Sequence, residues 1–197
     1  DRNPGKTLSE LKAALPVAYT SLTMSPHCAD EEKYGVVNDV VAEYEALAGG
    51  QKPHTLVIAC SDSRADPALI FDAAPGQLFV VRNVANLAPP YEPDGRLHGV
   101  SAALEFAVKV LKVERIVVMG HAYCGGVHAM LKGAPEDCRD FVAPWVEQAA
   151  PRVRRFVEDF PADQSERAAE EAVVRLSIEN LRTFPWVAER EAAGELI

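Results

Sequence analysis

The stretch "PHTLVIAC", Pro53 to Cys60, decides the fold. Behind Pro53 it is a continuous apolar and β-branched run, the pattern of a strand buried on both faces. "GQLFVVRN", ending at Asn83, and "ERIVVMGH", ending at His121, repeat that pattern. Between the last two lies "HGVSAALEFAVKVLKV", where apolar residues recur at helical spacing. Strand, helix, strand of this kind requires parallel pairing through a crossover. The expected fold is therefore α/β, a central mainly parallel β-sheet flanked by helices. Residues 1–50 read as an N-terminal helical arm, with "ADEEKYGVVNDVVAEYEALAGG" as a helix stopped by Gly49 and Gly50. Residues 51–134 form the core, and 135–197 a helical C-terminal region with prolines as punctuation.

At 197 residues, 48% hydrophobic and 25% charged, the chain has the composition of one ordinary globular domain. Its net charge of −9 argues against nucleic acid as a partner, since phosphate contacts need clustered Lys and Arg. No apolar run reaches the length of a membrane span. Four cysteines, Cys28, Cys60, Cys124 and Cys138, are too few for a disulfide scaffold. A reducing compartment is expected: the cytoplasm, or an organelle if a transit segment has been removed.

In parallel sheets, ligands collect beyond the carboxyl ends of the strands. Cys60 ends one strand and His121 another, and Cys124 opens the helix that follows. A thiol at a helix start faces the positive end of the dipole, which favours thiolate. Two thiolates and an imidazole suit zinc, with a fourth position left open. The competing reading makes each cysteine a small buried hydrophobe, and convergence at two strand ends weighs against it. Asp62 and Arg64 alternate after the first strand, where an Arg fork can hold a carboxylate at two points. A helix-capping pair is the alternative; it suits Asp66, which precedes Pro67, better than Asp62.

Together "CSDSR", "RNVAN" and "GHAYCGG", in that order and spacing, resemble the β-class carbonic anhydrases, and "NLAPPYEPDG" resembles their plant-type branch. The likeness runs from about Gln51 through "SIENLRTFPWV". It implies one zinc per chain on Cys60, His121 and Cys124, with Asp62 and Arg64 as an orienting dyad. It implies Gln51, Phe79, Phe106 and the Gly125 N–H as the substrate contacts. The implied activity is reversible hydration of carbon dioxide to bicarbonate, with the rate climbing into alkaline pH because two thiolates damp the metal's acidity. A homodimer that shares Gln51 and the aromatic pocket between protomers is implied as well.

Hydrolysis of carbon disulfide or carbonyl sulfide at the same site, and a silent zinc- or anion-binding homologue, are the competing functions. "GHAYCGG" lacks the lysine and the spacing of a nucleotide loop. Arg82 matches the arginine of a bicarbonate switch, but Val57 stands where that switch needs tryptophan, so no switch is expected. Tyr123 and His128 are proton-shuttle candidates. His27, His54 and His98 read as arm, strand-edge and loop residues, Cys28 and Cys138 as incidental thiols, and Trp145 and Trp186 as packing anchors. The family's final edge strand after "FPWV" has no counterpart in "AAGELI".

Overall fold

The computed structural model describes residues 47–197. The N-terminal arm, with His27 and Cys28, lies outside them; of the expected arm helix only the end is described. There Leu47 to Gly49 turn, and the Gly50 N–H donates to the Leu47 carbonyl at 2.9 Å. Two compact units divide the chain: residues 1–52 with 74–76, and residues 53–73 with 77–197. In the first, Gly76 has φ +84, and a Cβ there would lie 2.8 Å from the Leu47 methyls.

The second unit holds three parallel strands, β1 (Thr55–Cys60), β2 (Leu78–Asn83) and β3 (Arg115–Met119), in the order β2-β1-β3. All three of the expected runs are strands. Only β1, in the middle, is buried nearly throughout; β2 and β3 are half-buried, because each has a neighbour on one side only among the described strands. Ile197 adds a rung to β3: its N–H donates to the Glu114 carbonyl, and its own carbonyl accepts from the Ile116 N–H.

Helix α1 (Pro67–Ile70) follows β1. Asp66 caps it, accepting from the Ala68 and Leu69 N–H groups, with Pro67 in the first turn. Helix α2 (Gly99–Glu105) leads from β2 toward β3 and continues as a wider π-helical turn over Phe106–Val110, where the Leu111 N–H reaches back five residues to the Phe106 carbonyl. The apolar spacing predicts a regular helix there. The extra residue is accommodated because Ala107 and Val108 both stay buried while Phe106 and Val110 face outward.

After β3 come α3 (Gly125–Lys132), α4 (Val142–Glu147), α5 (Ala150–Val157), α6 (Ser165–Leu181) and α7 (Pro185–Ala192). Trp145 and Trp186 are packing anchors as expected: the first donates to the Val84 carbonyl at 2.8 Å, and the second packs edge-on against Phe184. One apolar cluster joins Cys60, Cys124, Val127, Met130, Val153 and Val173; another joins Leu56, Ile58, Leu104, Val108, Phe184 and Val187.

Candidate metal centre

The strand order reverses between β1 and β3, since the chain leaves β1 for β2 and then returns to β1's other side. A crevice opens at such a switch point beyond the strands' carboxyl ends. Cys60 is the last residue of β1, His121 follows β3 by two residues, and Cys124 precedes α3. Their ligand atoms all lie within 4.8 Å of one another. The two sulfurs are 3.8 Å apart, and neither is in a disulfide.

His121 shows what this arrangement is suited to. Its Nδ1 lies 2.9 Å from the Ala122 carbonyl, which can only accept, so Nδ1 carries the proton. That leaves a bare lone pair on Nε2, which is buried and has no hydrogen-bond partner. The nearest carboxylate oxygen, on Asp62, is 3.9 Å away, too far for a hydrogen bond. A buried lone pair beside two thiols is costly unless something electrophilic meets it. The carbonyl behind Nδ1 also fixes the tautomer and ring orientation, as in zinc sites generally. The three residues therefore fit one zinc ion.

The two sulfurs lie close enough for the S–H of one to donate to the other. The Cys124 S–H, together with the Asp62 N–H, stabilises Cys60 as thiolate and holds its pKa well below that of a free cysteine, against the opposing effect of burial. With Cys60 charged 3.8 Å away and burial added, the Cys124 pKa is pushed up, although the Val127 and Gly126 N–H groups at the start of α3 pull it back. Without a cation, a second ionisation is opposed by the thiolate already beside it. With a dication between them both can ionise.

Asp62 and Arg64 form the two-point pair expected of them: Nε donates to Oδ1 at 2.9 Å and Nη2 to Oδ2 at 2.7 Å, and the Arg64 N–H adds a third bond to Oδ1. Hydrogen bonding from Arg64 holds the Asp62 carboxyl well below the usual carboxylate range. The carboxylate is thus turned to the guanidinium, and it caps no helix.

Sequence reasoning undervalued Arg82. Its guanidinium donates to the Cys60 carbonyl at 2.9 Å, the Asp62 carbonyl at 2.6 Å and the Asp66 carboxylate at 2.8 Å, so it carries the whole turn from β1 into α1. The rest of "RNVAN" has equally local work. Asn83 brackets the next turn by bonding both the N–H and the carbonyl of Leu87. Ala85 sits at φ 65, and its N–H helps stabilise the Cys60 thiolate. Ser177 and Asn180 on α6 bond the main chain of Asn86 and Ala88, which explains "SIEN". The hydrogen-bonding residue types were the available signal; their partners, some 90 residues away, carried none.

Of the other expected residues, Tyr123 and Gly125 flank Cys124 in the chain, whereas Phe79 lies further back along β2. Phe79 and Phe106 stack with ring centroids 5.9 Å apart. Phe79, however, pairs with Leu56 while Cys60 pairs with Asn83, which puts the main chain of Phe79 about 13 Å along the strand from the rung of Cys60, at about 3.3 Å per residue. Gly125 is exposed at the start of α3. Gln51 is exposed and belongs to the other compact unit. Tyr123 is exposed, and His128 pairs with Glu166 at 2.9 Å.

Comparison with known proteins agrees with this geometry. The carbonic anhydrase family model matches residues 55–197. Beta carbonic anhydrase 5, chloroplastic, of Arabidopsis thaliana is 40% identical over 162 residues, 80% of this chain and 53% of that protein. Beta carbonic anhydrase 3 of the same plant is 36% identical over 160 residues, 78% of this chain and 61% of that protein. The chain thus spans little more than half the length of these relatives. The solved structure of the beta-carbonic anhydrase CcaA superposes with a TM-score of 0.75 at 32% identity, covering 84% of this chain and 82% of that one.

Proposed function

Because the chain belongs to the β-carbonic anhydrase family, we propose that it catalyses the reversible hydration of carbon dioxide to bicarbonate and a proton. The observation that carries this reading is the buried, unpartnered His121 Nε2 facing two thiols. A zinc ion held by Cys60, His121 and Cys124 would supply a Lewis acid that makes water acidic enough to act as nucleophile near neutral pH.

The remaining roles fall to the chain's own groups. Asp62, ionised and oriented by Arg64, accepts a hydrogen bond from the attacking water and leaves its lone pair directed at the carbon of carbon dioxide. Arg64 raises no barrier by this, because the carboxylate is already aligned before substrate arrives. The Gly125 N–H, at the positive end of α3, meets the developing negative oxygen. Phe79 and Phe106 form an apolar wall for carbon dioxide. Since about 13 Å of strand separates them from the ligands of their own protomer, we assign that wall to the neighbouring protomer's site, and the working unit to at least a homodimer.

Among the described residues no helix is long and apolar enough to cross a membrane, and the thiols are free. A reducing compartment, the cytoplasm or an organelle interior, is the proposed location.

One preparation tests the scheme. Zinc near one per chain and carbon dioxide hydration are expected of the unaltered protein. Cys60→Ser should lose both, and Asp62→Asn only the activity. Zinc retained in full by Cys60→Ser would remove that residue from the ligand set.

A further inference from the structure

The peptide unit joining Tyr123 to Cys124 is gripped at both ends. Arg64 Nη2 donates to its carbonyl at 3.1 Å, and its N–H donates to Glu170 Oε1 at 3.2 Å. A peptide unit is a dipole, negative at oxygen and positive at N–H. The guanidinium and the carboxylate each sit at the end that suits their charge, and hydrogen bonds to charged groups are the stronger kind. The unit needs such holding. Tyr123 lies at φ 57, the left-handed region that a bulky side chain rarely adopts, and such conformations persist only where the surroundings over-determine them.

Other carboxylates of α6 serve side chains: Glu166 meets His128, Glu171 meets Arg167 and Arg175, and Glu179 meets Arg152. Glu170 is half-buried and directed at the main chain of a ligand residue 46 positions earlier.

We propose that Glu170 is a positioning residue of the metal centre. With Arg64 it clamps the Tyr123–Cys124 peptide in the orientation that sets the Cys124 sulfur 3.8 Å from that of Cys60. Arg64 therefore serves two parts of the site through one guanidinium, aligning the Asp62 carboxylate and steadying a ligand loop. This inference rests on the reading of Cys60, His121 and Cys124 as zinc ligands.

The test is zinc transfer to a chromogenic chelator, together with the thiolate-to-metal absorption band after Co2+ replaces zinc. Four proteins are compared: the unaltered chain, Glu170→Ala, Glu170→Gln and Glu171→Ala. Loss of an outer partner of this kind weakens metal binding by roughly 10- to 100-fold. Glu170→Ala is expected in that range, with a weakened cobalt band. Glu170→Gln keeps an oxygen acceptor for the N–H and should recover most of the affinity, whereas Glu171→Ala should match the unaltered chain. Alanine favours helix, so α6 survives the change. Equal affinity in Glu170→Ala and the unaltered chain overturns the clamp, as does equal loss in Glu170→Ala and Glu170→Gln. Failure of the unaltered chain to take up either metal overturns the ligand reading itself, and the clamp with it.

Discussion

Asp62 accepts three hydrogen bonds from Arg64, and this fixes how the protein responds to acid. The folded-state pKa is depressed, so the pair's contribution to stability is complete above the unfolded value of about 3.9 and is lost as pH falls below it. Asp62→Asn removes the titrating group. The urea midpoint of that variant should fall less steeply than that of the unaltered protein between about pH 5 and pH 2. Matching slopes would mean that the pair contributes nothing to the acid limb. Asp62, Arg64, Cys60, His121 and Cys124 could all be singled out in the sequence, because each sits within five residues of a strand's end. Glu170 could not. It is one acidic residue among several on a helix whose charges suggest a solvated face, and only the folded chain brings it to Cys124.

Elements meet closely where α3 passes the turn after β2. A Cβ on Gly126 would lie 2.6 Å from Val84 Cγ1 and 2.9 Å from Ala85 Cβ, with the Ala85 nitrogen at 3.1 Å behind them. Ala85 is already in the left-handed region and fully buried, so the turn has little room to yield. Gly126→Ala is expected to destabilise by about 1–3 kcal/mol, read as a lowered denaturant midpoint at unchanged slope. An unchanged midpoint would show that the turn relaxes freely. The second glycine of "CGG" is thus explained by packing. Sequence reading could name the strands, because apolar runs rich in β-branched residues are distinctive. It could not see this contact, because closeness between a helix start and a distant turn leaves no periodic trace.

For the whole molecule, the separation of the aromatic pair from the ligands sets the expectation. Phe106 is 43% exposed although it stacks on Phe79, and the carboxyl end of β1 lies well away from both. Light scattering should find at least a dimer at micromolar concentration. Phe106→Ala should retain full zinc content while kcat/KM falls roughly tenfold, equivalent to about 1.4 kcal/mol of transition-state binding. A fully active monomer would dismiss the shared pocket. The α/β class, the parallel sheet and the helical C-terminal region could be read in advance from hydrophobic periodicity. The proposed sharing of the pocket between protomers has no such periodic signal in the sequence and rests on resemblance.

The π-helical turn at Phe106–Val110 bears on how chains of this kind can change length. A π turn holds one residue more than the α-helix around it, so a single deletion there could be absorbed by a return to ordinary helical bonding. The flanking residues would keep their angular positions, because the five-residue turn and the ordinary turn that replaces it each close about one revolution. Phe106 on Phe79 and Val113 in the core could then both keep their places. A one-residue gap at this point in a descendant would therefore be compatible with an unaltered aromatic pair and an intact ligand set.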